Sequence, residues 1–309
     1  MNIKKISAII ACSLGFLLAG SAYADFVKYK KYLIPVGKSC SGIDDLKTNV
    51  IYMDDAGLVN EDPNGVFDAL IVLAWHKQGK YNLLSIGSST SKSDSASNQQ
   101  LMQRLVSDVG MKVPVYRESA LVDEVISQAN RVFSCTGKRL VVSAGGEIHE
   151  LKNALAKAPD IANKIKIYSI AGANYNSTRN NPSDYRFVLS KLGNANIVEI
   201  CDRKDKTVAA KNCYRGKHLR YPFSSKYAKS LSDSQKRAWV DRVYRNFSSI
   251  ITADFKKKTR KQNKGEGSGD HYLRVADYLT VAAFVWPNTD NIFRDYFIYG
   301  QIESAIKNL

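Results

Sequence analysis

Val50-Ile51-Tyr52-Met53-Asp54-Asp55-Ala56-Gly57, continuing to Gly65-Val66-Phe67-Asp68-Ala69-Leu70-Ile71-Val72-Leu73-Ala74, is an apolar run that ends in carboxylates and is followed by a second apolar run opened by another carboxylate. A short strand feeding a longer helix is the simplest reading. The alternation repeats along the chain. Strands are expected at Val50–Met53, Leu83–Ile86, Val113–Tyr116, Leu140–Val142, Ile165–Ile170 and Ile197–Ile200, and helices at Val66–Lys77, Asn98–Val109, Leu121–Phe133, Glu147–Lys157 and Pro182–Leu192. Three further helices are expected at Asp233–Phe255, Tyr272–Val285 and Ile292–Lys307. Short β-branched runs alternating with longer amphipathic ones predict an α/β fold, a mainly parallel central sheet flanked by helices. No internal repeat and no linker between independent domains is visible.

The first 24 residues have a different logic. Lys4 and Lys5 precede an apolar run, Ile6 to Gly20, and Ala22-Tyr23-Ala24 ends in small residues where a signal peptidase reads. The run of about 15 residues is shorter than the roughly 20 a membrane-spanning helix needs. The expectation is a cleavable signal peptide over 1–24, a mature domain over 25–309, a periplasmic or secreted location and no stable membrane anchor. Four cysteines then remain, Cys40, Cys135, Cys201 and Cys213. In an oxidising compartment these favour disulfides. The local pair Cys201–Cys213 is preferred, which leaves Cys40–Cys135.

The net charge is +16, or +14 once Lys4 and Lys5 are removed. Such a charge attracts anions in general. Its densest run, Lys256-Lys257-Lys258-Thr259-Arg260-Lys261, reads as a solvated loop, because charge runs resist packing. No basic motif interleaved with aromatics accompanies it, so no specific nucleic-acid partner is expected.

In sheets of this kind ligands sit outside the carboxyl ends of the strands. Three segments there carry chemistry. Asp54, Asp55, Asp62 and Asp68 surround the end of the first strand; clustered carboxylates repel one another unless a hard cation neutralises them, and oxygen ligands suit Ca²⁺ or Mg²⁺. Helix capping by Asp68 and solvation of the rest is an equal reading. Ser143-Ala144-Gly145-Gly146-Glu147-Ile148-His149-Glu150-Leu151 is a strand end whose glycines admit a close backbone approach. In Ala276-Asp277-Tyr278-Leu279-Thr280-Val281-Ala282-Ala283-Phe284-Val285-Trp286-Pro287, an acid starts an apolar helix that stops at a proline.

In this order and at these separations, the segments resemble the inosine/uridine-preferring nucleoside hydrolase family. Met53-Asp54-Asp55-Ala56-Gly57 and Gly65-Val66-Phe67-Asp68-Ala69 are similar to its opening D-x-D-P-G-x-D-D-A with an insertion. Gly145 to Leu151 is similar to its G-P-L-T-N-L-A, and residues 276–287 to its late H-D-P-x-A-V-A-x-x-x-D-P. The resemblance spans Val50 to Pro287 and implies a nucleoside hydrolase-like fold, a bound Ca²⁺ and a small nucleoside or ribosyl ligand; a homo-oligomer is compatible with it. It assigns the ion to Asp55, Asp68, Asp277 and a carbonyl at Gly145 or Ala144, with Asp55 as general base. Asp62 rivals Asp55 because of the insertion. Asn174, Asn176 and Asp184 are the candidates for sugar contacts. Met53, Phe67 and Ala276 depart from the family pattern, which implies either a calcium-dependent N-glycosidase of altered substrate or a binding protein that has lost catalysis. His149 and His271 are expected to be polar surface residues.

Overall fold

The computed structural model describes residues 39–55, 65–89, 95–170, 182–193, 196–200 and 279–287, with the single positions 301, 304 and 309. In chain order these form β1 (Asn49–Asp54), α1 (Gly65–Lys77), β2 (Asn82–Ser88), α2 (Ser95–Asp108), β3 (Val115–Arg117), α3 (Glu118–Thr136), β4 (Leu140–Ala144), α4 (His149–Lys157), a 3-10 turn (Pro159–Asn163), β5 (Ile165–Ile170), α5 (Pro182–Leu192), β6 (Ile197–Ile200) and α6 (Leu279–Val285). The described strands form one sheet in the order β3-β2-β1-β4-β5-β6. Every adjacent pair is parallel. This is the α/β architecture expected from the sequence, with β5, β6 and α5 at the predicted residues.

The core explains the layering. β1 is buried throughout, as a central strand covered on both faces must be. α1 is buried from Gly65 to Trp75, so it is an interior helix rather than a surface one with a single apolar stripe. Its outer side is closed by the segment around α6: Trp75 meets Trp286 edge-on at 4.9 Å, and Phe284 packs against both Tyr81 and Tyr168. The phenol of Tyr81, itself buried, donates to the Val72 carbonyl at 2.5 Å. On the opposite face, Gly87 leaves room for Leu121 of α3 and the side chain of Met53; a Cβ there would lie 2.7 Å from Leu121.

Several boundaries differ from the sequence reading. β3 is Val115–Arg117 rather than Val113–Tyr116. Pro114 has no N–H to give a ladder, and its carbonyl is used instead by Ile86 N–H at 2.9 Å. α4 begins at His149 rather than Glu147, because the Gly145 and Gly146 amides are bound to the Met53 carbonyl at 3.0 and 3.2 Å and hold the chain in a turn. α3 runs three residues further at each end, to Thr136. Gly137 then stops it in the left-handed region, φ 66°, with its N–H on the Phe133 carbonyl.

One disulfide is present among the described residues, Cys40–Cys135, which joins the segment before β1 to the last turn of α3. It is the pairing left after the preferred local one. Cys201 and Cys213 lie outside the described residues, as do the signal segment and the basic run. No helix among the described residues is long and apolar enough to cross a membrane.

Candidate functional site

The strand order reverses between β1 and β4, which are neighbours although two strands separate them in sequence. At such a switch point the connections leave in opposite directions and open a crevice beyond the carboxyl ends. The rim beyond those ends is therefore built from Asp54-Asp55 at the end of β1, Ser88-Ser89 at the end of β2 and Ala144-Gly145-Gly146 at the end of β4. Register fixes the arrangement: Asp54 lies beside Ser88, and Met53 beside both Gly87 and Ala144.

Gly146 is what lets the two sides meet. A Cβ at this position would fall 2.4 Å from the Asp55 amide nitrogen and 2.7 Å from the Asp54 carbonyl carbon. No side chain can be accommodated against backbone at that distance, so the glycine is required by close approach. Asp55 and Gly145, far apart in sequence, are thereby brought to one place.

The rim is strongly acidic and largely closed to water. Asp54 is fully buried and accepts a short hydrogen bond from the Tyr52 hydroxyl two residues back on the same face. Asp68, in the first turn of α1, is 1% exposed. Glu147 and Glu150 are buried as well. Ser89 ties the loops together: its N–H donates to the Asp54 carbonyl at 2.8 Å, and its hydroxyl lies against the Glu147 carbonyl and 3.1 Å from Glu150 Oε2. Burial pushes the Glu150 carboxyl up to about 7; the Ser89 hydrogen bond and His149 only partly oppose this. Ser88 Oγ and Asn98 Nδ2 are buried with no hydrogen-bond partner among the described residues.

β4 also connects to the third sequence motif. Ser143 Oγ and Thr280 Oγ1 are 2.6 Å apart and buried. Thr280 follows Asp277 by three residues, but Asp277 lies outside the described residues, as do Asp62, Asn174 and Asn176. Among the described residues no three His, Cys, Asp or Glu side chains gather as a metal-binding group.

Asp184 is placed in the first turn of α5 and is 8% exposed. Its carboxylate is engaged by His149 Nδ1 at 2.9 Å and lies 3.8 Å from Lys152 Nζ. Neither this pair nor the burial of Glu147 and Glu150 was expected from the sequence. An acidic residue early in a helix reads as a dipole partner whether it faces solvent or a crevice.

The chain is similar to the crystal structure of an inosine-uridine preferring nucleoside hydrolase from Bacillus anthracis, with 12% sequence identity and a TM-score of 0.48. The match covers 85% of this chain and 100% of that one. No family model matches the sequence, and no curated protein does.

The chemistry of the rim follows from its charges. Carboxylates at β1, α1 and the β4 loop disfavour an anionic ligand such as a pyrophosphate at the switch point. They suit a neutral polyol, a cation, or the two together. Their oxygens are of the type a hard divalent ion takes, although among the described residues no three of these side chains gather.

Proposed function

We propose that the protein is an exported, calcium-dependent hydrolase of N-glycosidic bonds in nucleosides or related ribosyl compounds. The observation that carries this reading is the contact of Gly146 with the Asp54–Asp55 backbone at the switch point. It joins two of the three motifs through which the sequence resembles nucleoside hydrolases. The Ser143–Thr280 hydrogen bond supports the third, since it ties the stretch just after Asp277 to the same strand.

Asp55, Asp68, Asp277 and the carbonyl of Gly145 or Ala144 are the residues that would hold the ion. Calcium, when bound there, neutralises the crowded carboxylates and offers open coordination positions to a sugar diol. The chain's own part is acid–base and electrostatic. Asp55 takes a proton from the water that attacks the anomeric carbon, with Asp62 as the rival for that task. The acidic rim stabilises the positive charge that develops on the sugar as the bond to the base breaks. Asn174 and Asn176 are proposed sugar contacts. The signal-like start and the Cys40–Cys135 bond support a periplasmic or secreted site of action.

The test is release of free base from a panel of ribonucleosides, followed chromatographically with calcium and with EDTA. Calcium-dependent release that Asp55→Asn abolishes is expected; release insensitive to EDTA and to changes at Asp55 and Asp62 would contradict the assignment. One observation favours a second reading, binding without hydrolysis. Phe67 fills with a buried apolar ring the position at which the family pattern has an Asp, and a ring cannot replace the strong hydrogen bond that a carboxylate accepts from a hydroxyl. Calcium-dependent ligand binding with no base released would select it.

A further inference from the structure

Cleaving a bond between a sugar and a base requires that the base leave with a proton, because a free base anion is a poor leaving group. Two histidines fall among the described residues. His76 lies in the last turn of α1, at the opposite end of the sheet, with Nδ1 near the Tyr81 carbonyl at 3.1 Å. His149 is the first residue of α4, three positions beyond Gly146, and so stands at the carboxyl end of the sheet.

We propose that His149 is the acid that hands a proton to the departing base, with Asp184 as its positioning residue. This rests on the hydrolase reading above. His149 Nδ1 lies 2.9 Å from Asp184 Oδ2, and the buried carboxylate sets both the tautomer and the plane of the ring. The geometry follows a general rule: a base or acid is held in turn by a third group. Both partners come from helix starts that follow adjacent strands, α4 after β4 and α5 after β5. The far nitrogen, Nε2, is 3.0 Å from Asn153 Nδ2. When Nδ1–H of the neutral ring donates to Asp184, Nε2 is left to accept from the Asn153 amide N–H. The His149 side chain is 48% exposed, against 11% for that of Asp184, so the ring is open to molecules in solution while its holder is covered. Glu150, also on this rim, is closed in by Ser89 and has no such access.

In the balanced step, the bond from the anomeric carbon to the base nitrogen breaks and its electron pair stays on the base. The Nε2 proton of the His149 imidazolium passes to the base. Water supplies the hydroxyl to the anomeric carbon, and its other proton goes to the carboxylate base. The two protein groups return to their starting states by exchange with solvent, leaving free sugar and free base.

The test uses the full mature chain with calcium and compares ribonucleosides, inosine and uridine among them, with p-nitrophenyl β-D-ribofuranoside, whose leaving group departs as a stable anion. His149→Ala should lower kcat/KM on nucleosides by about 10²–10⁴-fold and leave the nitrophenyl riboside within a few-fold of wild type. Asp184→Asn should show the same selectivity with a smaller loss. Equal loss on both substrates would mean that the pair merely clips α4 to α5, and no loss on either would remove His149 from the reaction; both overturn the proposal. A wild-type chain that releases product from neither substrate would instead overturn the hydrolase reading on which it rests.

Discussion

The two ends of the sheet handle buried polarity in opposite ways. At the amino end, Asn49 is 2% exposed, donates to the Asp44 carbonyl at 2.7 Å and accepts from the Asp44 N–H at 3.0 Å. Asn82 completes the net by donating to the Gly42 carbonyl and to Asn49 Oδ1. Neutral amides satisfy neutral backbone, and the Cys40–Cys135 bond closes the same segment. At the carboxyl end the buried groups include four carboxylates, Asp54, Asp68, Glu147 and Glu150, beside serines such as Ser88 and Ser89. Burying an acid costs far more than burying a satisfied amide. The acidic end is accordingly where the proposed ligand would offset that cost, whereas the amide net serves the fold.

The largest expected effect lies at the structural end. Cys40→Ser, which opens a cross-link spanning 95 residues, should lower stability by about 2–4 kcal/mol, read from urea unfolding, with little change in ligand binding. A comparable loss of binding would mean that the two ends are not independent.

The next effect belongs to Glu150. Its folded carboxyl titrates at about 7 against an ordinary 4.5, so between these values the folded state holds more protons than the unfolded one. Stability therefore falls as pH rises through that window, by at most about 3 kcal/mol. Glu150→Gln should flatten the slope of melting temperature against pH from 4.5 to 7.5. An unchanged slope would show that the carboxylate is not held in a dry environment.

Calcium sharpens the comparison from the ligand side. At a hundredfold excess over Kd, binding to the folded state stabilises by about 2.7 kcal/mol. Asp68→Ala and Asp277→Ala should each remove the calcium-dependent rise in melting temperature, while Asn82→Ala should preserve it. A melting temperature indifferent to both calcium and EDTA would break the assignment of function to the acidic end.

Gly146→Ala should cost about 1–3 kcal/mol, because the added methyl meets the Asp54–Asp55 backbone, and it should weaken ligand binding too. Asn82→Ala, which removes a neutral hydrogen bond donor at the other end, should cost about 1 kcal/mol with binding intact. Differential scanning calorimetry paired with calcium titration separates the two variants.

The elements were legible wherever local chemistry sufficed. Ile165–Ile170, Ile197–Ile200 and Pro182–Leu192 fall where hydrophobic runs and a proline start signal them, and the parallel α/β class follows from their alternation. Boundaries failed where a tertiary hydrogen bond decides: the Gly145 and Gly146 amides are spent on Met53, so α4 starts late. For the site, the sequence picked out Asp55, Asp68 and Gly145 as residues of strand ends and helix starts. That the Gly145–Gly146 turn rests on Asp54–Asp55 depends on the order of the strands. By itself, then, the chain's apolar periodicity determined which segments are strands and helices, because burial of a face is a local demand. Only the tertiary structure decided that β1 and β4 are neighbours, that Glu150 is dry and that His149 leans on Asp184. Each of those is set by distance between segments remote in sequence, which no local pattern encodes.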